Sequence, residues 1–248
     1  MDFANILFGG PCNRACPFCI GKQLAAPLRS NNLGLYPPRN LEAFIGEVKR
    51  HRIREIVFTG TTTDPQLYRF EERLLQELQS RLPEARFCLH SNGALALRKI
   101  HVFNQYDRVS LSFPTFDPAT YERLMGSRRI PDLAEIVRQA RVPIKISALA
   151  RETTAGFLDR LCSLGILRVV LRKLYGDSRP LSLPSGLIRV DSYRNNPVFN
   201  WKGMEVTVWS FNDSASTSLN LFPDGTLSSR YLLTRAEPGL SNQEALSP

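Results

Sequence analysis

The chain has few of the residues that cross-link small proteins or fasten proteins to membranes. Its 248 residues include five cysteines and three histidines, and no apolar run approaches the roughly 20 residues that cross a bilayer. The odd cysteine count and the lack of a secretory segment disfavour a disulfide framework. The start, Met1-Asp2-Phe3, also lacks the basic head of a signal peptide. These absences predict a cytoplasmic protein with reduced cysteines and no membrane partner.

Basic residues outnumber acidic ones: the chain has 32 lysines and arginines and 23 aspartates and glutamates, which gives a formal net charge of +9. This excess favours acidic partners: nucleic acid, phosphorylated or carboxylated small molecules, or an acidic peptide. The basic residues are dispersed, as at 50–54 and 168–173, without one long run. A solvated basic surface explains this dispersion as well as a nucleic-acid footprint does, so nucleic acid is not the favoured partner.

The chain does have a concentration of thiols. Cys12, Cys16 and Cys19 lie within eight consecutive positions, where Pro11 and Pro17 favour a loop over a helix. Thiolates this close repel one another unless a soft cation or an iron-sulfur cluster neutralises them. Structural zinc usually takes four ligands, and no second cysteine or histidine pair lies nearby to complete that set. The remaining interpretation is a cubane cluster with three thiolate ligands and one iron free for an exchangeable ligand. The alternative is that these are ordinary buried cysteines.

The spacing resembles the Cys-x3-Cys-x2-Cys signature of the radical S-adenosylmethionine (radical SAM) superfamily. Phe18 supplies the aromatic residue before the third cysteine, and the motif follows an apolar run at 5–8, where the family places its first strand. The resemblance implies a 4Fe-4S cluster on Cys12, Cys16 and Cys19, with S-adenosylmethionine bound to the fourth iron. It also implies reductive cleavage to a 5′-deoxyadenosyl radical that abstracts hydrogen from a substrate, with a reductant such as flavodoxin or ferredoxin.

Short apolar strands alternate with amphipathic helical patterns through most of the chain. The predicted strands are 5–8, 55–58, 86–90, 108–113, 143–149 and 166–171, and the predicted helices are about 40–51, 66–82, 94–103, 118–124, 131–140 and 152–164. Such alternation predicts parallel strands joined by right-handed crossovers, with ligands at the carboxyl ends of the strands. With the resemblance, it predicts an α/β fold: a partial (βα)6 parallel barrel of the radical SAM type with a C-terminal β-rich extension.

The helical patterns stop after about residue 176. Proline and glycine become frequent, and β-like runs occur at 187–190, 204–211, 218–222 and 227–231. We therefore expect a radical SAM core at 1–176, a β-rich extension or lid at 177–236, and a flexible tail at 237–248. The extension contains no cysteine, and Cys88 and Cys162 sit in apolar patterns, so a single cluster is expected.

Polar residues end or follow several of the predicted strands. In the family, a Gly-Gly-Glu-Pro type motif after strand two receives the amino group of S-adenosylmethionine; here Thr-Gly-Thr-Thr-Thr-Asp-Pro at 59–65 takes its place, which is a departure. Ser91-Asn92-Gly93 resembles the family's Thr-Asn-Gly after strand three, although Asn-Gly also marks ordinary turns. The predicted cofactor-binding residues are Phe18, Gly60, Thr61, Thr62, Asp64, Ser91, Asn92, Ser110, Ser112, Ser147 and Leu171.

The substrate prediction rests on charge near the sixth strand. Arg172, Lys173 and Tyr175 follow that strand, and guanidinium groups match carboxylate and phosphate geometry, so an anionic small molecule or peptide is expected. The extension adds charged and stacking candidates, which are Arg179, Arg189, Arg194, Trp201 and Trp209. Two alternatives stay open: a cluster-bearing binding or sensor protein without cleavage activity, because the second-strand motif is altered, and an RNA-modifying radical enzyme, because the chain is basic.

Overall fold

The computed structural model describes residues 1–177 and 179–233, and six parallel strands form its centre. These strands are β1 (Phe3–Phe8), β2 (Glu55–Gly60), β3 (Arg86–Ser91), β4 (Arg108–Ser112), β5 (Ile144–Leu149) and β6 (Arg168–Arg172). The intervening helices are α1 (Leu41–Arg50), α2 (Glu71–Arg81), α3 (Ile100–Phe103), α4 (Pro118–Met125), α5 (Leu133–Gln139) and α6 (Ala155–Ser163). The six strands follow one another in chain order across the sheet, which confirms the predicted α/β partial barrel.

Strand alternation divides the sheet into two faces with different chemistry. One face packs against the helices: Ile56 and Phe58 of β2 share a buried core with Phe44 of α1 and Leu74 of α2. The opposite face, which we call the inner face, carries the residues between these core positions. In strand order they include Asn5, Val57, Cys88, His90, Arg108, Ser110, Ser112, Lys145, Ser147 and Arg172. The inner face is therefore largely polar.

Two helices begin later than the apolar periodicity predicts. The prediction of a helix from residue 66 is wrong, because a short 3-10 turn at Pro65–Leu67, capped by the Asp64 side chain, precedes α2. The helix predicted from residue 94 forms only at α3, because Gly93 has a φ of 75° and starts a series of turns. Within the described residues, none of these helices is both long and apolar enough for a membrane span.

The β-rich extension continues the sheet at both of its edges. Its strands are β7 (Ile188–Tyr193), β8 (Asn196–Trp201), β9 (Met204–Trp209), β10 (Ser218–Leu221) and β11 (Leu227–Ser228). β9 pairs in parallel with β6, and β10 pairs in parallel with β1. The extension adds strands to both edges because both edges of the core offer unpaired backbone groups. The tail predicted at 237–248, with 234–236, lies outside the described residues.

Candidate active site

The three clustered cysteines lie in a loop of residues 9–19, the cysteine loop, between β1 and a 3-10 turn at Ile20–Gln23. All three are half-buried and free. Burial, followed by the nearby thiols of Cys19 and Cys12, raises the pKa of Cys16 to about 11. Burial also raises the pKa of Cys12, with smaller contributions from Asp64 and Cys19. Thiols in such surroundings ionise only when a bound cation stabilises their negative charge, as a metal or cluster does.

The three thiols have the chemistry that an iron-sulfur cluster requires. Among the described residues, no three His, Cys, Asp or Glu side chains are grouped so that they could hold one metal ion. A cubane makes a different demand, because each thiolate binds its own iron. The Cys12, Cys16 and Cys19 thiols are near enough to affect one another's pKa. They have the donor chemistry of iron-sulfur ligands and are the residues that would hold the 4Fe-4S cluster.

Three successive threonines at 61–63, which we call the threonine loop, connect the cysteine loop to the end of β2. The hydroxyls of residues 61–63 donate in turn to the carbonyl oxygens of Phe8, Gly10 and Pro11, at 3.0, 3.3 and 2.6 Å. The backbone N–H of Thr61 also donates to the Phe8 carbonyl at 2.7 Å. The hydroxyls of Thr61 and Thr62, predicted to contact the cofactor, are therefore engaged with the protein's own backbone.

Two glycines permit this close contact. A Cβ at Gly21 would lie 1.8 Å from the carbonyl oxygen of Thr61, and a Cβ at Gly60 would lie 1.7 Å from that of Thr63. Real Cβ atoms do not approach backbone oxygen so closely, so either side chain would force the backbone to shift. Gly60, predicted as a cofactor contact, is thus required for the shape of the threonine loop.

Asp64 lies behind the site. It is 3% exposed, and its carboxylate accepts bonds from the backbone N–H of Asn92 at 2.6 Å and of Gln66 at 2.9 Å. The Ser91 hydroxyl donates to the same carboxylate at 3.0 Å. Burial raises the pKa of Asp64 despite these bonds. Because the polar atoms of Asp64 and Ser91 are occupied inside the protein, these residues position their neighbours and do not face a ligand.

Asn92 connects the end of β3 to the cysteine loop. Its side-chain amide donates to Asn13 Oδ1 at 2.7 Å and lies 3.9 Å from the Cys12 sulfur. Its side-chain oxygen accepts a bond from the backbone N–H of Ala94 at 3.0 Å. Asn92 is therefore held from both sides beside the first cysteine, at the carboxyl end of the sheet where the sequence predicts a cofactor contact.

A cavity of about 420 Å³ opens next to the cysteine loop, at the carboxyl ends of β5 and β6. Phe18, Leu149, Arg172 and Lys173 are among its walls. Tyr175 borders a second cavity of about 150 Å³, which shares Lys173 with the first. The structure thus brings Phe18, Arg172 and Lys173 into one space and places Tyr175 next to it.

The predicted serines and Leu171 have different surroundings. Ser112 is exposed on the inner face, and the Ser147 hydroxyl accepts a bond from Arg172 Nε at 2.7 Å. Ser110 is 5% exposed, deeper in the same face. The Leu171 side chain is fully buried in the core against the helices, on the face of the sheet opposite to Arg172.

The extension contributes less to the cavity than its charge suggests. Trp201 is 4% exposed, and its indole N–H donates to Asp159, so it cannot stack on a ligand. Arg194 contacts Asp2 and the Phe3 ring, at the opposite end of β1 from the cysteine loop. Arg179 does line the cavity, where it forms an ion pair with Asp177 at 2.8 Å.

Sequence reasoning missed three contributors to the site. Arg151 and Arg123 also line the larger cavity. Arg151 follows β5 directly, as Lys173 follows β6, so a basic residue just after a predicted strand was the available signal. Tyr231 belongs to a buried cluster that also includes Leu24, just beyond the cysteine loop. Its position depends on long-range packing, for which the sequence offers no comparable signal.

Comparison with known proteins identifies the family of this chain. The sequence matches the radical SAM superfamily over residues 6–150, more than half of the chain, and the chain belongs to this superfamily. Its members use a 4Fe-4S cluster and S-adenosylmethionine. A search of curated proteins finds no significant match.

Two solved structures of Streptococcus suis SuiB share the fold. SuiB bound to the precursor peptide SuiA is similar with a TM-score of 0.56 and 16% identity, over 70% of this chain and 40% of SuiB. SuiB bound to S-adenosylmethionine is similar with a TM-score of 0.53 and 13% identity, over 73% of this chain and 40% of SuiB. The chain therefore corresponds to about two-fifths of the length of SuiB.

Proposed function

We propose that this chain is a radical SAM enzyme acting on an anionic small molecule or peptide. The observation that carries the proposal is the cysteine loop, whose three free thiols lie beside a cavity with basic walls. Cys12, Cys16 and Cys19 would hold a 4Fe-4S cluster, which would supply the electron for reductive cleavage of S-adenosylmethionine to methionine and a 5′-deoxyadenosyl radical, with a flavodoxin or ferredoxin as the reductant.

The protein's own residues hold, orient and shield the reactants. Cys12, Cys16 and Cys19 would bind three irons, and the threonine loop would fix the cysteine loop in place. Phe18 and Leu149 present apolar surface to the cavity, which limits the water near a radical. For S-adenosylmethionine itself, the proposed polar contacts are the backbone of residues 60–62, the Asn92 side chain and the hydroxyls of Ser112 and Ser147.

Arg172 and Lys173 are the proposed substrate contacts, with Tyr175 beside them. Their positive charges suit a carboxylate or a phosphate. Peptides belong in the proposed substrate class because SuiB, which shares the fold, has been crystallised with a precursor peptide. The proposal therefore covers carboxylated and phosphorylated small molecules and acidic peptides.

Anaerobic reconstitution followed by reduction tests the proposal. The protein should bind about four iron and four sulfide, and with dithionite it should convert S-adenosylmethionine to 5′-deoxyadenosine and methionine. Replacing Cys12, Cys16 or Cys19 with Ala should abolish the brown chromophore and this conversion.

Two other cysteines of the chain are matched controls. Cys88→Ala and Cys162→Ala remove thiols that lie away from the cysteine loop, so both variants should keep their iron. If the wild-type protein holds a cluster but releases no 5′-deoxyadenosine, and its spectrum is unchanged by S-adenosylmethionine, the chain is a cluster-bearing binding protein instead. Loss of the cluster in Cys88→Ala alone would reject the ligand assignment.

A further inference from the structure

The charges on the inner face of the sheet do not balance. Arg108 forms an ion pair with Glu55, and Arg168 forms one with Glu205 at 3.0 Å. Lys145 and Arg172 lie on the same face, yet neither forms an ion pair with any acidic side chain in the described part of the chain. Two cations are therefore left over after the acidic residues of this face have been matched.

The strand register brings these cations together with neutral donors. His90, Ser110 and Lys145 lie side by side on three neighbouring strands. Ser147 follows on the same face of β5, two residues nearer the carboxyl end, and bonds Arg172 at 2.7 Å. Because Arg172 also lines the cavity, the row runs from Lys145 up to that cavity. The row therefore leads along the inner face from Lys145 to Arg172, a residue of the cavity wall.

Burial makes the imbalance costly. Burial, followed by the charges of Arg172 and Arg108, lowers the pKa of Lys145 to about 8, against smaller opposing effects of Glu55 and Cys88. Burial alone lowers the pKa of Arg172. Removing a cation from water without a negatively charged partner costs roughly several kcal/mol. A bound anion offsets that cost. An anion with access to both groups would therefore bind with a substantial electrostatic gain.

We infer that Lys145 and Arg172, with the Ser110 hydroxyl, form an oxyanion site that receives the carboxylate or phosphate of the substrate. This inference deepens the proposed function, because it seats the substrate's charged group on the inner face, below the cavity. His90 adds a ring N–H donor beside Ser110, since burial holds its pKa well below its usual range and keeps the imidazole neutral. The anion site itself does not depend on radical chemistry.

Calorimetric titration of the reconstituted full-length protein with inorganic phosphate, and separately with malonate, tests the site. The wild type should bind at least one of them saturably, and the tighter of the two indicates whether the substrate group is a phosphate or a carboxylate. Lys145→Met and Arg172→Met should each weaken this binding roughly tenfold or more, since each removes a charged hydrogen-bond donor. Lys145→Arg should keep most of the affinity.

Arg168→Met is the matched control, because Arg168 lies on the same face but is exposed and already paired with Glu205. The affinity of Arg168→Met for phosphate or malonate should stay within about twofold of wild type, because Glu205 already neutralises the charge of Arg168. Thermal unfolding adds a readout that a structural lysine would not give. Without added anion, Lys145→Met should unfold at or above the wild-type temperature, and phosphate should raise the unfolding temperature of the wild type and of Arg168→Met but not of Lys145→Met.

Three results would overturn the inference. Equal phosphate and malonate affinity in wild type and Lys145→Met would exclude the site, and an equal loss in Arg168→Met would show only general attraction to a basic surface. If Lys145→Met weakened S-adenosylmethionine binding as much as anion binding, the site would belong to the cosubstrate. The proposed function fails separately: wild-type protein that binds phosphate through Lys145 but never forms 5′-deoxyadenosine would reject the radical activity and leave the anion site standing.

Discussion

At the scale of single residues, Asp64 shows how a polar group can serve the site without facing a ligand. Its carboxylate organises two backbone N–H groups, at Gln66 and Asn92. The second of these begins the turn that brings the Asn92 amide to Asn13 of the cysteine loop. One buried carboxylate therefore connects the ends of β2 and β3 to the loop that carries the thiols.

Asp64→Asn should weaken this connection. The amide replaces one acceptor oxygen with a donor, so either Gln66 or Asn92 loses its partner, and relief of the buried charge offsets only part of the loss. We expect unfolding by urea to show a destabilisation on the order of 1 kcal/mol, and reconstitution to show a lower iron content.

The control is the same substitution at an exposed position. Asp117 caps α4 by accepting from the Thr120 N–H at 2.8 Å, and asparagine caps helices equally well, so Asp117→Asn should leave stability and iron content nearly unchanged. Equal behaviour of the two variants would remove Asp64 from the supporting network.

The sequence could predict that Asp64, Ser91 and Asn92 gather at one edge of the sheet, since parallel strands end together. It could not predict which of them faces a ligand. That depends on how closely two backbones approach, and the bond between Asp64 and the Asn92 N–H joins positions 28 residues apart. For the cysteines, spacing alone was informative, because all three ligands come from one short loop.

At the scale of elements, the threonine loop packs closely against the 3-10 turn that follows the cysteine loop, because Gly21 in that turn has no side chain. Gly21→Ala should separate them, since its Cβ would overlap the Thr61 carbonyl, where no flexible side chain can move aside. We expect a loss of stability of about 1 to 3 kcal/mol, the usual cost of overpacking, together with poor retention of iron. Chemical unfolding and iron analysis measure the two effects.

Gly46→Ala provides the matched control in α1. A Cβ there meets nothing within 4 Å, and alanine favours a helix over glycine by roughly 0.5 to 1 kcal/mol. This variant should be slightly more stable and keep its iron. If Gly21→Ala also kept its full iron content, close contact between the threonine loop and the 3-10 turn would not be needed for the cluster.

Apolar periodicity was sufficient for the six central strands and for most helices, because each element buries its own repeating face. It failed at the starts of α2 and α3. There, Asp64 caps a 3-10 turn and Gly93 adopts a positive φ, and both redirect the chain without changing the hydrophobic pattern. Local backbone geometry of this kind overrides periodicity over a few residues only. The number of α-helices between the central strands was therefore still predicted correctly.

At the scale of the whole molecule, the extension is part of the central sheet. The sequence predicts four of its five strands and misses β8, and it does not predict their partners, because pairing of distant segments is not encoded in a local pattern. Asn5 on β1 and Asn220 on β10 are 215 residues apart, yet their side chains share a buried hydrogen bond of 2.7 Å. Residues 231–233 then pack on the cluster that includes Leu7 and Leu24, close to the cysteine loop.

A chain shortened to residue 181 should therefore fail to fold. It would lose β9 beside β6 and β10 beside β1, and so leave two parallel edges of the core unpaired. It would also expose core side chains that pack against the extension, including Leu171 and Val169 against Val206 and Val208. We expect circular dichroism to show no cooperative thermal transition and reconstitution to yield no cluster.

A chain ending at residue 233 is the control for that truncation. It keeps all eleven strands of the described sheet and the bridge between Leu24 and Leu233, so it should unfold cooperatively and bind iron like the full chain. If the chain ending at 181 instead folded and retained four irons, the extension would be a separable lid, and the cavity would have to be completed by the core alone. Comparing the two truncated chains therefore decides whether the core needs the extension in order to fold or only in order to complete the cavity.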